Sequence, residues 1–144
     1  MNHLSPSPLL RATLTIDAAA SGTLALIQLL APYAIAQFTG LAVELLVSSG
    51  VLLAAYAAWL IRMASSAAVA RTLAELVVVG NLGWALACIV LATALRSDLS
   101  ALGVGYLLLQ VCAVVAFASG QALGLMRSSP VSQATANLAW KDLL

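Results

Sequence analysis

Apolar residues run along this chain in four long stretches, and polar residues gather in short groups between them. A helix needs about 20 predominantly apolar residues to cross the hydrocarbon core of a bilayer, and each stretch is long enough. The pattern predicts helices over 12–38, 41–61, 70–95 and 99–126. Thr39-Gly40 marks a tight turn after the first, and Arg62 with Met63-Ala64-Ser65-Ser66 closes the second. Arg96-Ser97-Asp98 punctuates the third. Arg127-Ser128-Ser129-Pro130 ends the fourth, as arginine and proline after an apolar run should. The runs are continuous rather than alternating, which excludes a transmembrane β-barrel. Connections this short make sequential helices antiparallel neighbours. The expected fold is therefore an all-α membrane protein: a four-transmembrane-helix up-down-up-down bundle, with 1–144 as a single transmembrane domain.

The ends carry less pattern. Ser5-Pro6-Ser7-Pro8 reads as a helix breaker inside a flexible N-terminus, 1–10. Residues 127–144 form a tail in which Ala134, Leu138 and Trp140 either line one side of a short interfacial helix or fray.

Composition changes the picture by naming the solvent. The chain is 63% hydrophobic and only 8% charged, with a mean hydropathy of +1.07. A soluble domain carries about a quarter charged residues, so this surface must face lipid. Soluble enzymes, nucleic-acid binders and disordered tails are excluded on that ground. A net charge of +1 leaves no basic patch for a phosphate backbone. The single histidine, His3, precedes the first span, so no intramembrane haem or metal on imidazole ligands is expected. No cofactor motif appears. Cys88 and Cys112 form no C-x-x-C pair and read as two buried free thiols.

Orientation follows from the basic residues. Arg11, Arg62, Arg71, Arg127 and Lys141 fall on one side of the predicted bundle and Arg96 on the other. The positive-inside rule then makes both termini cytoplasmic. Ala34-Ile35-Ala36 before Gln37 imitates a secretory cleavage site. The apolar stretch ahead of it is too long for a signal peptide, however, and Asp17 interrupts it.

Polar residues at membrane depth are costly, and function concentrates on them. On the first span Asp17, Ser21 and Gln28 are in phase at the 3.6-residue period and should face the bundle interior, with Pro32 bending the helix beyond them. The third span places Asn81 near the midplane, with Cys88 in phase and Trp84 one turn away. The fourth carries Gln110 and Gln121 in phase, and Gln110 is expected to meet Asn81. Such amides commonly act as glue between helices, and the sharper reading is a polar spot that also meets a ligand, lipid or proton. Arg71 and Glu75 make a local pair, which leaves Asp17 to reach Arg62 or Arg71. Glu44 and Arg96 gather at the outer side. Small residues recur at spacing four in Gly50-Ala54-Ala58 and in Cys112-Ala116-Gly120-Gly124, a close-packing pattern that serves either the bundle or a partner.

Several short motifs together resemble a group of small uncharacterised bacterial four-helix integral membrane proteins. They are Arg11 and Asp17 opening the first span, Ser21-Gly22 after them, Asn81-Leu82-Gly83-Trp84 in the third, and Gly103 and Gln110 in the fourth. The resemblance covers roughly 11–127 and implies a bacterial inner membrane; it carries no activity. Small multidrug resistance transporters share only the architecture, because their acid is a glutamate deep in the first helix.

Two functions are expected. The first is a non-enzymatic accessory or scaffold subunit packing within the bilayer against another membrane protein or a second copy, through Cys112, Ala116, Gly120 and Gly124. The alternative is a small transporter or carrier of a lipid or other hydrophobic ligand, with Asp17, Gln28, Asn81, Trp84 and Gln110 around an internal polar site. An intramembrane enzyme is disfavoured, since Asp17 has no histidine to complete an acid–base pair.

Overall fold

The computed structural model describes residues 3–131, and the tail residues Ala134, Leu138, Trp140 and Lys141 lie outside them. The described chain is helical apart from three short strands and the connections between elements. In order the elements are β1 (His3–Ser5), α1 (Pro8–Leu30), α2 (Pro32–Thr39), α3 (Val43–Ser65), β2 (Val69–Ala70), α4 (Arg71–Ala94), α5 (Ala101–Met126) and β3 (Ser129–Pro130). Helices α1, α3, α4 and α5 are each long and apolar enough to cross a membrane.

The first helix starts four residues earlier than the apolar pattern suggests. Proline is tolerated in the first turn, where its missing N–H has no intrahelical partner anyway. Ser7 caps that turn, accepting from the Leu10 N–H at 3.2 Å and donating to the Gly124 carbonyl at 2.7 Å. Ser5-Pro6-Ser7-Pro8 is thus not a free lead-in. It runs from a paired strand into a capped helix, and Leu4 is buried.

Pro32 does more than bend the first span. A proline disfavours helical geometry in the residue before it, and Ala31 leaves the helix at φ −134°, ψ 44°. The span is therefore two helices, α1 and α2. Gly40 ends α2 at φ 80°, a left-handed conformation. A Cβ there would also run into the Asp98 carbonyl, so glycine is doubly required. The same corner holds the start of α5. Ser100 donates its hydroxyl to the Phe38 carbonyl and its N–H to Thr39, and it accepts from the Gly103 N–H as the N-cap.

Helix α1 lies between α3 and α5, and α4 packs on α5. The sequential pair α3 and α4 does not pack closely, against the expectation that every short connection makes neighbours. The connection explains why. Its residues Val69 and Ala70 form β2, which pairs with β1 ahead of α1, so the chain is carried across the end of α1. β1 pairs on its other edge with β3, giving the sheet order β2-β1-β3. The N-terminal segment, the α3–α4 connection and the segment after α5 therefore meet in one small sheet.

Side chains alone join α3 to α4, in two apolar clusters. One gathers Leu10, Leu14, Leu60, Met63, Ala74 and Val77. The other gathers Leu41, Leu46, Cys88 and Leu107. Between them, along α1, α3 and α4, lie Asp17, Tyr56 and Asn81. Large apolar residues elsewhere, among them Leu26, Leu30, Leu86, Leu109 and Met126, are exposed on the outside of the bundle. That is the reverse of a water-facing surface and suits lipid.

Candidate functional site

Asp17 is fully buried and sits at the centre of a polar cluster drawn from all four long helices. Its Oδ2 accepts from Gln121 Nε2 at 2.7 Å, Asn81 Nδ2 at 2.8 Å and the Tyr56 hydroxyl at 3.2 Å. Its Oδ1 accepts from the Ser21 hydroxyl at 3.0 Å. Asn81 Nδ2 also donates to Gln121 Oε1 at 3.0 Å, closing the ring. The four donors divide unevenly, three on Oδ2 and one on Oδ1. Every one of them is neutral.

That corrects the expected ion pair between Asp17 and Arg62 or Arg71. Arg71 is held by Glu75 at 2.8 Å, the one salt bridge among the described residues. The Arg11 guanidinium donates to the Ala64 carbonyl. Glu44 and Arg96 form no ion pair within the described chain.

The first-span stripe is placed as its phase requires, with Asp17, Ser21 and Gln28 all buried. The expected meeting of Asn81 with Gln110 does not occur. Asn81 turns toward Asp17 and Gln121, while Gln110 Oε1 accepts from Trp84 Nε1 at 3.1 Å. Trp84 lies eleven residues before Leu95 and Gln110 ten after Ser100, so these two stand at matching heights on either side of the connection. Toward the α2 end, Gln28 Nε2 donates to the Tyr106 hydroxyl at 2.6 Å and Gln28 Oε1 accepts from Ser49 at 3.1 Å.

These two polar groups flank an open space. Because α3 and α4 stand apart, a cavity of about 290 Å³ lies between them, lined by residues of α1, α3, α4 and α5 that include Gln28, Ser49, Trp84, Tyr106 and Gln110. A second cavity of about 170 Å³ adjoins the Asp17 cluster, bordered by Ser21, Tyr56 and Asn81. Leu52 and Trp84 border both and divide them. Four of the five sequence-selected residues thus line this pair of cavities, and Asp17 sits behind the smaller one.

Five participants were not among the sequence-selected site residues: Ser21, Ser49, Tyr56, Tyr106 and Gln121. Ser49 and Tyr56 are seven residues apart and share a helix face, a usable signal. Gln121 was in phase with Gln110 on the fourth span. Tyr106 lies one turn before Gln110, but nothing in its neighbourhood separates it from an ordinary aromatic packing residue.

The small-residue stripe divides. Gly124 packs directly on α1, where an added Cβ would fall 2.7 Å from the Leu10 backbone. At Gly120 it would fall 2.7 Å from the Thr13 methyl. Both glycines therefore serve contacts inside the chain. Cys112 and Ala116 face outward, so the expectation of two buried thiols holds only for Cys88. In α3, Gly50 packs on Gln28 and Leu29, while Ala54 and Ala58 are exposed.

No family model, curated protein or solved structure matches this chain.

Proposed function

We propose that this chain is a small multi-pass protein of the bacterial inner membrane that takes a hydrophobic ligand from the bilayer into the cleft between α3 and α4. In this reading the four spans run up-down-up-down with both termini cytoplasmic. The gathering of β1, β2 and β3 at one end supports that topology, since it unites the N-terminal segment, the α3–α4 connection and the end of α5.

One observation carries the functional reading. Two sequential membrane-length helices are held apart, and the gap is lined by Gln28, Trp84 and Gln110 rather than by apolar side chains alone. A pocket with apolar walls and a few convergent polar groups is the usual form of a small-molecule site. Between two spans, its natural access is from the lipid side. Beside this pocket, Asp17 holds Tyr56 and Asn81, which border the smaller cavity, together with Gln121.

The competing reading is an accessory subunit that packs on a partner through helix α5. It loses two of its four residues, because Gly120 and Gly124 are occupied by α1.

Gentle extraction followed by native mass spectrometry of the intact protein tests the proposal. The expected species is a monomer or homodimer retaining a small hydrophobic molecule. Ser48 and Ala87 lie exposed at the rim of the cavity, and the double variant Ser48→Trp/Ala87→Trp should lose that molecule while still folding. A stoichiometric partner protein, with no retained small molecule, would instead favour the accessory subunit.

A further inference from the structure

The side chain that decides what the larger cavity holds is Gln110. It is more than nine-tenths buried, at 8% exposure. Its carbonyl oxygen accepts from the Trp84 indole. An indole N–H can only donate, so the amide is fixed with its oxygen toward Trp84 and its NH2 turned away. That NH2 has no hydrogen-bond partner among the described residues, and Gln110 lines the cavity. No buried side-chain nitrogen or oxygen among the described residues lacks a partner, so this NH2 is open to the cavity rather than sealed in the core, and a donor facing an apolar space gains free energy when an acceptor enters.

Three further features narrow the occupant. The Tyr106 hydroxyl accepts from Gln28 and has no acceptor for its own proton among the described residues, so it adds a second donor. The side-chain amide oxygens of Gln28 and Gln110 each already hold a donor. No charged residue lines the space, and a charged head group there would lack a counter-ion. The free donors of the cavity are thus the Gln110 NH2 and the Tyr106 hydroxyl, both neutral. At about 290 Å³ the cavity sits at the low end of ligand pockets, so it suits a head group whose chain leaves between α3 and α4.

We infer that the cavity between α3 and α4 is a site for an uncharged carbonyl group on an apolar chain, with Gln110 Nε2 as its hydrogen-bond donor. The inference rests on the reading of the cleft as a ligand site and adds the chemistry of the ligand. Two lipid sources carry that chemistry, a quinone ring and an acyl ester.

The test is a binding titration of the full chain in detergent, read by native mass spectrometry, with three probes. Decylubiquinone presents quinone carbonyls, ethyl decanoate an ester carbonyl, and decylbenzene no acceptor. At least one carbonyl probe should bind tighter than decylbenzene by roughly threefold to tenfold, the range of one net hydrogen bond. The tighter of the two names the source. That preference should vanish in Gln110→Met, with affinity for decylbenzene unchanged. Gln110→Leu also removes the NH2, so it serves if the methionine variant misfolds. Equal binding of all three probes by the wild-type chain would overturn the carbonyl assignment and leave the cleft as a plain apolar site. Absence of any binding, or binding that Ser48→Trp/Ala87→Trp leaves intact, would overturn the cleft reading itself.

Discussion

Substitutions at Asp17 separate two roles for its carboxylate, as a hydrogen-bond hub and as a charge. In Asp17→Leu the cluster keeps its donors and loses their acceptor. The Ser21 and Tyr56 hydroxyls can rotate to other acceptors, but Gln121 Nε2 loses its 2.7 Å partner and Asn81 its 2.8 Å partner. Each orphaned buried donor costs about 1–3 kcal/mol. Membrane bundles lie toward the lower end, because an unfolded chain in lipid also finds partners. A loss of about 3 kcal/mol is expected. Asp17→Asn behaves differently. Its oxygen can occupy the position of Oδ2 and keep all three donors there, while its NH2 takes the place of Oδ1 and donates to Ser21, which can accept. The number of hydrogen bonds is unchanged. Losing charge assistance costs about 1 kcal/mol per bond, and relief from burying an unpaired ion returns several kcal/mol. The asparagine variant should therefore fall within about 1 kcal/mol of wild type or exceed it. Reversible unfolding in mixed micelles measures both variants on one scale. If Asp17→Asn proves as damaging as Asp17→Leu, the hub reading is wrong and the negative charge itself is held, which points to a bound cation.

Three other substitutions follow from close contacts. Gly124→Ala should destabilise the bundle by about 1–3 kcal/mol, since the new methyl meets helix backbone that cannot yield; Gly80→Ala, with open space around it, should be neutral or slightly stabilising in the same unfolding assay. Gly40→Ala combines a left-handed backbone with a collision against Asp98, and should lower thermal stability more than Gly80→Ala does. Trp84→Phe leaves Gln110 Oε1 without its donor, and a double-mutant cycle with Gln110→Met should return a coupling of about 0.6–2 kcal/mol; a coupling near zero would mean the pair carries no energy.

The four membrane-length helices were legible because lipid imposes length and continuity on any helix that crosses it. Their ends moved by at most four residues, except that the first stops at Leu30, where Ala31 and Pro32 break it. The interior face of α1 was legible for a related reason: Asp17, Ser21 and Gln28 have nowhere else to go. What periodicity could not supply was height and lateral order. Asn81 and Gln110 both sit near the middle of their helices, yet Asn81 pairs with Gln121 and Gln110 with Trp84. The separation of α3 from α4 depends on β2 pairing with β1, a two-residue contact with no periodic signature. The cleft follows from that separation, so it was equally invisible. The glycines of α5 announced a close approach, but the identity of the approaching helix lay in α1 rather than in their own spacing.

The polar ring around Asp17 also sets an order of events in biogenesis. Synthesis delivers α1 first, with only Ser21 beside the carboxylate. Tyr56 lies 39 residues later, Asn81 64 and Gln121 104. An aspartate at a helix centre opposes insertion by about 2.5–3.5 kcal/mol. On the membrane reading, the first helix therefore enters with a penalty that each later helix partly lifts. Glycosylation mapping of chains truncated after α1, α3, α4 and α5 should show α1 insertion rising at each step, and a flat series would refute this. The last donor arrives with α5, close to the point where β3 becomes able to close on β1. On the same reading, a chain released before Gln121 leaves its first helix with an acid short of its shortest hydrogen bond, which distinguishes an unfinished copy from a complete one.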